Sequence, residues 1–422
     1  MFNRSGRIYY GWIALIGAMM TAFVAGGAFI YSYGVFLPVM CEEFGWSRAI
    51  VSVGLSIGLL TFGLPSPLAG ILVARFGPRV NMIWGNTIAA LGLAGMYLVT
   101  EAWHVYALYC IAGLGAGIGG YVAGSTVANN WFTRKRSLAI GLFASGAGLG
   151  GFVFPPVATV LISAVGWRMS WLVLAGIILA GGVILASGIF VRNRPEDMGL
   201  LPDGDVVDMS ERMAIIEKEA GVTEEPRWKI REAVKLPTTW FLGIFAAANY
   251  VALGTMVAHQ VAHVMDLGYS PVTAALTMSI VSGVGIVGRL GCGAAALRLN
   301  IRYLAIAGVI IQLLALVILM TLSELTFIYI YAILFGLSNG MLITAMPTII
   351  GEYYGRASFA LLMGVMLAVG IALESLAPVI AGIIYDYRGT YLPAFGAVAG
   401  FSLIGLICFS LSRKPELPRH TV

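Results

Sequence analysis

The chain has 422 residues, of which 59 % are hydrophobic and 11 % are charged. Soluble domains carry about 25 % charged residues, so this composition excludes an ordinary soluble protein and indicates an all-α polytopic membrane protein. The formal net charge of +5 does not indicate a nucleic-acid partner, because most basic residues lie in loops on one side of the predicted membrane.

Twelve apolar runs follow one another, and each is long enough to cross a bilayer as a helix, which takes about 20 mostly apolar residues. The predicted spans are residues 9–40, 47–74, 80–100, 103–131, 137–165, 168–191, 239–266, 270–297, 303–323, 326–353, 357–385 and 390–412. The first run is too long for the core of a signal peptide, so we expect it to be retained as a span. Ser47 precedes the second run and is the expected N-cap of its helix.

The positions of the basic residues predict the orientation of these spans. If both termini are cytoplasmic, 21 of the 25 Lys and Arg residues lie on the cytoplasmic side. Three others, Arg48, Arg168 and Arg388, lie on the opposite side, and Arg289 lies within a span. Because cytoplasmic loops carry an excess of Lys and Arg, we predict a multi-pass protein of the plasma (inner) membrane with both termini cytoplasmic.

Two loop segments repeat at a fixed offset. GILVARFGPR starts at residue 70 and GAAALRLNIR starts at residue 293, so that Arg75 and Arg79 align with Arg298 and Arg302 at a separation of 223 residues. Such an internal repeat is typical of transporters built from two related halves. We interpret the chain as two six-helix bundles that are pseudo-repeats of each other.

The composition turns polar between the two halves, where the chain reads RNRPEDMGLLPDGD and, further on, EEPRWKIREAVK. Most charged runs of this kind are solvated connections. We therefore predict an N-terminal six-helix bundle over residues 1–193, a cytoplasmic linker over 194–237, and a C-terminal six-helix bundle with a cytoplasmic tail over 238–422.

Arg289 interrupts the apolar run TMSIVSGVGIVGRLGCGAAALRL. A charge at the centre of a span costs roughly 3 kcal/mol on insertion scales, so it marks a functional site by default. A guanidinium presents a planar fork that matches a carboxylate bidentately. We therefore expect Arg289 to bind a small carboxylate substrate; the alternative is a structural ion pair with Glu374, the one carboxylate at similar depth.

Other residues at mid-depth are candidates for the same site. Tyr121 and Asn339 lie among glycines that would let a ligand approach the backbone, and Tyr33 is a weaker candidate because aromatic belts at the membrane surface explain it as well. His259 is a candidate proton carrier, since histidine titrates nearest to physiological pH. Glu374 either pairs with Arg289 in the empty site or carries the proton itself.

Other classes of site find little support in the sequence. The spacing of His259, His263 and Asp266 would suit metal ligands, but no second ligand cluster accompanies them, so no metal is predicted. We find no nucleotide-binding loop, and no nucleophile with its base, so neither a cofactor nor an enzyme is predicted.

Several motifs together resemble the major facilitator superfamily, and within it the monocarboxylate porter and oxalate–formate antiporter group. They are YYGW from residue 9, FGWSRA from 44, WFTRKRSLAIG from 131, RPEDMGLLPDG from 194, HQVAHVMDLG from 259 and VGIVGRL from 284. The resemblance implies a rocker-switch transporter in which the arginine of helix 8, here Arg289, binds the substrate carboxylate at a midplane site between the halves.

The loop arginines Arg75, Arg79, Arg298 and Arg302 resemble a degraded form of the superfamily's helix 2–3 signature, and we expect them to steady one conformation of a cytoplasmic gate. The chain also departs from the group. Animal monocarboxylate carriers have a lysine in helix 1 and an aspartate four residues before the helix 8 arginine, whereas here helix 1 has no lysine and the second position is Gly285. The coupling proton would then be carried by His259 or Glu374.

The function predicted from the sequence is secondary active transport of small monocarboxylates such as lactate or pyruvate, coupled to protons, by a protein that acts as a monomer. One alternative is a carboxylate exchanger of the oxalate–formate type. An alternative of another class is a membrane receptor that transports nothing.

Overall fold

The chain folds into long helices that cross one another in a bundle, and the computed structural model describes residues 9–132, 136–204, 230–296, 298–354 and 356–415. Within these ranges no strand is formed. The helices are α1 (Tyr10–Ala25), α2 (Tyr33–Phe44), α3 (Arg48–Gly63), α4 (Ser66–Gly95), α5 (Ala102–Gly119), α6 (Tyr121–Trp131), α7 (Arg136–Val165), α8 (Trp167–Ile177), α9 (Ile230–Ala233), α10 (Pro237–Asp266), α11 (Pro271–Ala295), α12 (Ile301–Thr321), α13 (Leu325–Tyr354), α14 (Arg356–Arg388) and α15 (Leu392–Leu411).

Ten helical stretches of the described chain are long and apolar enough to cross a membrane. The other two predicted crossings are formed by α3 with the first turns of α4, and by the part of α4 that follows Gly77. This division differs slightly from the predicted spans 47–74 and 80–100. Gly77 adopts a φ of 80°, and a Cβ there would lie 2.6 Å from the Asn193 amide, so the sharp bend requires glycine.

Two irregularities shape the middle of the first half. The first crossing contains a π-helical segment, Gly26–Tyr31, between α1 and α2. The fourth crossing is broken at Gly120, which separates α5 from α6 and has φ −87° and ψ −117°. π-Helical turns often occur at functional sites, and both irregularities border the cavity described below. Ser47 is the N-cap of α3, as predicted, and its hydroxyl accepts a hydrogen bond from the backbone N–H of Ile50 at 3.3 Å.

The helices of each half pack mainly against one another, and among the described residues three pairs of helices make most of the contacts between the halves. These pairs are α3 with α14, α7 with α11, and α2 with α10. We call the end of the bundle that carries the start of α3 the Arg48 end, and the opposite end, where Tyr9 and Ser412 lie, the terminal end. The polar connection predicted at 194–237 has two described parts, 194–204 and 230–237, which lie at the terminal end, and its residues 205–229 lie outside the described part of the chain.

The internal repeat is visible in how two arginines close the last helix of each half. Helix α8 continues as a π-helical segment, Ile178–Phe190, which ends the first half. Arg79 Nε donates to the carbonyl of Ser187 in this segment at 3.1 Å, and Arg302 Nη2 donates to that of Ser410 in α15 at 2.5 Å. Both arginines and both serines are separated by 223 residues (302 − 79 and 410 − 187). Arg302 Nη1 also donates to the carbonyl of Ser412 at 2.6 Å. In each half, therefore, a cation binds the carbonyls that the helix end leaves free, where the helix dipole favours positive charge.

We predict that Arg302→Ala destabilises the protein whereas Arg298→Ala does not. Arg302 makes charge-assisted hydrogen bonds to the end of α15, each worth about 1.5 to 3 kcal/mol, but the Arg298 side chain is exposed at the same end of the bundle. The measurement is the apparent Tm of the purified protein in detergent. Equal Tm values for the two variants would show that the cap does not stabilise the bundle.

Candidate functional site

Arg289 lies in α11, at the contact between the two halves. Its Nη1 donates to the backbone carbonyl of Ala144 in α7 at 3.2 Å, and the same nitrogen would lie 3.1 Å from a Cβ at Gly148. Its Nε is buried and has no hydrogen-bond partner within the described chain. No ion pair joins Arg289 to Glu374 among the described residues. The guanidinium is therefore a half-buried cation with hydrogen-bonding capacity left over.

A cavity of about 210 Å³ lies against Arg289 and extends between helices of both halves. Most of its wall is apolar, and among the described residues that line it Arg289 and Tyr121 have polar side chains. The lining residues are Ala22, Ala25, Gly26, Phe29, Ile30, Phe62, Ala116, Gly120, Tyr121, Phe143, Ala144, Ala147, Arg289 and Ile343. Tyr121 is the first residue of α6, directly after the break at Gly120, and its side chain is half exposed. The break therefore determines where Tyr121 lies in the cavity wall.

Tyr31 lies next to Arg289 and within range of Glu374, although neither Tyr31 nor Glu374 lines the cavity. The Tyr31 hydroxyl interacts with the Arg289 guanidinium and is within electrostatic range of the Glu374 carboxylate. A Cβ at Gly151 would lie 2.9 Å from the Tyr31 ring, and one at Gly254 would lie 2.8 Å from Glu374 Cγ. These four residues form two pairs at the repeat offset, since 254 − 31 and 374 − 151 both equal 223. Each half thus provides a glycine that makes room for one polar side chain.

Glu374 is 8 % exposed and forms no hydrogen bond or ion pair within the described chain. Tyr250 is within electrostatic range of both Glu374 and Tyr121, so polar groups continue from Arg289 across the bundle. The sequence reasoning missed Tyr31 and Tyr250. The signal that could have revealed Tyr31 is its repeat-equivalent residue, Gly254. A large residue in the N-terminal half stands at the position where the C-terminal half has a glycine.

His259 lies apart from this cavity, near the Arg48 end. It is completely buried in α10, and its Nδ1 lies 2.9 Å from the Tyr391 hydroxyl. Its Nε2 lies 2.7 Å from the carbonyl of Pro378 and 3.3 Å from Ser52 Oγ. Both ring nitrogens are therefore engaged by groups from three other elements of the bundle.

Above His259, Arg48 joins the two halves. Its guanidinium binds both carboxylate oxygens of Asp266, at 2.7 and 2.6 Å, and donates to the Tyr391 hydroxyl at 2.9 Å. Asp386 accepts the backbone N–H groups of Arg48 and Ala49 at 3.0 Å each. A carboxylate is favoured at this position because the first N–H groups of a helix carry partial positive charge. We call Arg48, Asp266, Asp386, Tyr391 and His259 the clamp.

The clamp has a counterpart that lies within one half. In the N-terminal half, Glu43 binds Arg168 at 2.9 Å. The residues 223 positions later are Asp266 and Tyr391, so the C-terminal half has the carboxylate but not the arginine. Arg48 comes from the N-terminal half and provides the missing cation. The N-terminal half thus has an ion pair within itself, between Glu43 and Arg168. In the C-terminal half, the equivalent carboxylate, Asp266, pairs with Arg48 of the other half.

Helices α7 and α11 meet at Gly148 and Arg289, whereas a Cβ at Gly141 of α7 or at Gly293 of α11 would meet no heavy atom within 4 Å. At the Arg48 end, the clamp joins the two halves of the described chain.

The other candidate residues lie away from the cavity wall. Tyr33 is completely buried and donates its hydroxyl to the carbonyl of Val51 within the N-terminal half. Asn339 is buried in α13, and its Nδ2 has no partner within the described residues. It lies beside a close helix crossing, because a Cβ at Gly340 would lie 2.1 Å from the Gly285 carbonyl oxygen. The cavity brings together Arg289 and Tyr121. Glu374 lies outside its wall, within electrostatic range of Tyr31 and Tyr250.

The four loop arginines lie at the terminal end. Arg79 and Arg302 bind helix ends within their own halves, and the side chains of Arg75 and Arg298 are exposed. None of the four contacts the other half in the described chain, so in this conformation they act within each half. Their expected role in a gate stays a prediction.

Comparison with known proteins agrees with this architecture. A family model described as Major Facilitator Superfamily matches residues 14–326. Monocarboxylate transporter 13 of Bos taurus is 27 % identical over 96 % of this chain and 92 % of its own length. The oxalate:formate antiporter of Oxalobacter formigenes is also 27 % identical, over 65 % of this chain and 61 % of its own length.

A solved structure shares the fold across nearly the whole chain. It is a bacterial homolog to the human lysosomal transporter Spinster, in an inward-facing and occupied conformation; it superposes with a TM-score of 0.74 at 16 % identity, over 96 % of this chain and 97 % of its own. The predicted all-α fold is confirmed by this match and by the family model. The chain therefore belongs to the Major Facilitator Superfamily and is a membrane transporter rather than an enzyme.

Proposed function

We propose that the protein transports small monocarboxylates across the plasma (inner) membrane, together with protons, by alternating access between its two six-helix halves. The observation that carries this proposal is the position of Arg289: a half-buried guanidinium whose buried Nε has free hydrogen-bonding capacity, facing a cavity between the halves. An anion that enters the cavity would satisfy this charge, whose isolation in the membrane is costly. The similarity to proteins named monocarboxylate transporters supports the same class of substrate.

In this proposal, residues 1–193 and 238–422 are the two moving units, with 194–237 as the cytoplasmic linker and both termini cytoplasmic. Arg289 and Tyr121 bind the substrate in the cavity, while Asn339 and Tyr33 support the helices around it. The monomer is the proposed functional unit. The alternative is an exchanger of the oxalate–formate type, which the similarity to the oxalate:formate antiporter favours.

We predict that Arg289→Lys impairs transport nearly as much as Arg289→Ala. A lysine retains the charge but cannot form the planar two-point contact that a guanidinium makes with a carboxylate. The measurement is uptake of radiolabelled pyruvate and lactate into proteoliposomes, and we expect a loss of at least about tenfold for both variants, equivalent to 1.4 kcal/mol. Near-normal uptake by the lysine variant would remove Arg289 from the binding site.

The proton is proposed to bind Glu374. This carboxylate is buried, lies within electrostatic range of Tyr31, which contacts Arg289, and has no ion-pair partner in the described chain. Both nitrogens of His259, by contrast, are occupied within the clamp. Protonation of Glu374 removes a buried negative charge, and the field that attracts an anion becomes stronger. Affinity for the carboxylate should therefore fall as the pH rises.

We predict that Glu374→Gln abolishes accumulation driven by a pH gradient but leaves carboxylate exchange between the two sides intact. His259→Gln is the matched comparison, because it also removes a buried titratable group and should retain pH-driven accumulation. Both are measured as uphill uptake with an imposed pH gradient and as counterflow without one. Loss of pH-driven uptake in the histidine variant alone would transfer the coupling role to His259.

The clamp is proposed to be the contact that must break when the Arg48 end opens. Arg48→Gln removes the cation that joins the halves, whereas Arg168→Gln breaks the equivalent ion pair within the N-terminal half. To detect opening, we would introduce Ser56→Cys into a cysteine-free background, because Ser56 lies one turn below Ser52, which contacts His259 across the interface.

We predict that labelling of this cysteine by a membrane-impermeant maleimide, added from the Arg48 side, becomes about tenfold faster in Arg48→Gln, as a loss of about 1.4 kcal/mol would give. In Arg168→Gln the rate should be unchanged. Equal rates in the two variants would mean that the clamp does not determine which end of the protein is closed.

A further inference from the structure

We infer that the acid carried by this protein has one carboxylate and a bulky apolar body, larger than that of lactate or pyruvate. This inference rests on the proposed function, and specifies which monocarboxylates fit the cavity beside Arg289. The inference rests on the composition of the cavity wall, which has one guanidinium and is otherwise mostly apolar.

The wall opposite the guanidinium is made of aromatic rings and aliphatic groups. Phe29, Phe62 and Phe143 contribute rings, and Ile30 and Ile343 contribute branched side chains. Ligand sites are usually lined in this way, with a few polar groups that fix orientation and an apolar surface that contacts the rest of the ligand. A wall of this composition favours a ring or a branched alkyl group.

The volume of the cavity agrees with such a ligand. Its 210 Å³ correspond to roughly seven water molecules at about 30 Å³ each. A three-carbon acid whose carboxylate is bound by Arg289 presents a single methyl group to the wall and leaves most of the aromatic surface without contact. Each additional methylene that fills an apolar pocket improves binding about tenfold or more.

A second carboxylate is disfavoured by the same wall. Among the described residues that line the cavity, Arg289 supplies the cation, and the Tyr121 hydroxyl is the other polar side-chain group. The second anionic group of a dicarboxylate would lie against phenyl rings, where it would lose hydration without gaining a counter-charge. The apolar wall therefore selects for acids with one charge.

The test is a binding series on the purified full-length protein, measured by isothermal titration. The probes are pyruvate, 4-methyl-2-oxopentanoate and phenylpyruvate, which share the 2-oxo carboxylate and differ in the body, together with oxalate as the dicarboxylate. We expect phenylpyruvate and 4-methyl-2-oxopentanoate to bind at least tenfold more tightly than pyruvate, and oxalate to bind more weakly than either. Pyruvate or oxalate binding as tightly as the larger acids would overturn the inference.

Two variants separate this inference from the proposed function. Ala22→Leu places a larger side chain in the apolar part of the cavity and should weaken the binding of phenylpyruvate about tenfold more than that of pyruvate. Arg289→Ala should weaken every acid of the series. If all acids depend on Arg289 but bind equally, the inference fails and the proposed function stands. If none depends on Arg289, the proposed function itself fails, whatever the order of affinities.

Discussion

The constraint on which the structure depends is the placement of one guanidinium inside a membrane bundle without an ion-pair partner in the described chain. The Arg289 guanidinium donates to the Ala144 carbonyl of the other half and interacts with the Tyr31 hydroxyl, and its Nε has no partner among the described residues. Such a charge costs free energy in an apolar surrounding. The cost is offset when an anion binds, so substrate entry and the approach of the two halves at this contact become physically linked.

The second constraint is how the two halves are held together at one end. Arg48 provides the C-terminal half with a cation that its own sequence lacks, at the position where the N-terminal half has Arg168. If the internal repeat were exact, each half would contain its own ion pair at this position. Because the repeat is incomplete here, the unpaired carboxylate Asp266 is available to the other half. Opening this end requires a bidentate contact to be broken, and substrate binding at Arg289 could contribute that free energy.

The fold was predictable from the sequence because apolar runs of about 20 residues and the offset of 223 residues are local patterns. The boundaries near Gly77 were less accurate, since a single positive-φ glycine and not a change of polarity ends that crossing. Arg289 and Tyr121 were placed together because depth along a helix follows from the rise per residue. Side-chain direction does not follow from depth: Tyr33 faces the core of its own half, and His259 faces the clamp rather than the cavity. Tyr31 was missed because the sequence does not reveal the π-helical segment that ends at this residue, and without it Tyr31 resembles any interfacial aromatic residue.

The account is tested most directly by locating a bound acid. A crystal of the protein soaked with 4-bromophenylpyruvate would reveal the bromine by its anomalous signal and the carboxylate in the electron density. We expect the carboxylate within hydrogen-bonding distance of the Arg289 guanidinium, about 3 Å, and the bromophenyl ring among Phe29, Phe62 and Phe143. A well-occupied acid elsewhere in the bundle, with the Arg289 guanidinium still turned to Ala144 and the cavity empty of ligand, would contradict the account.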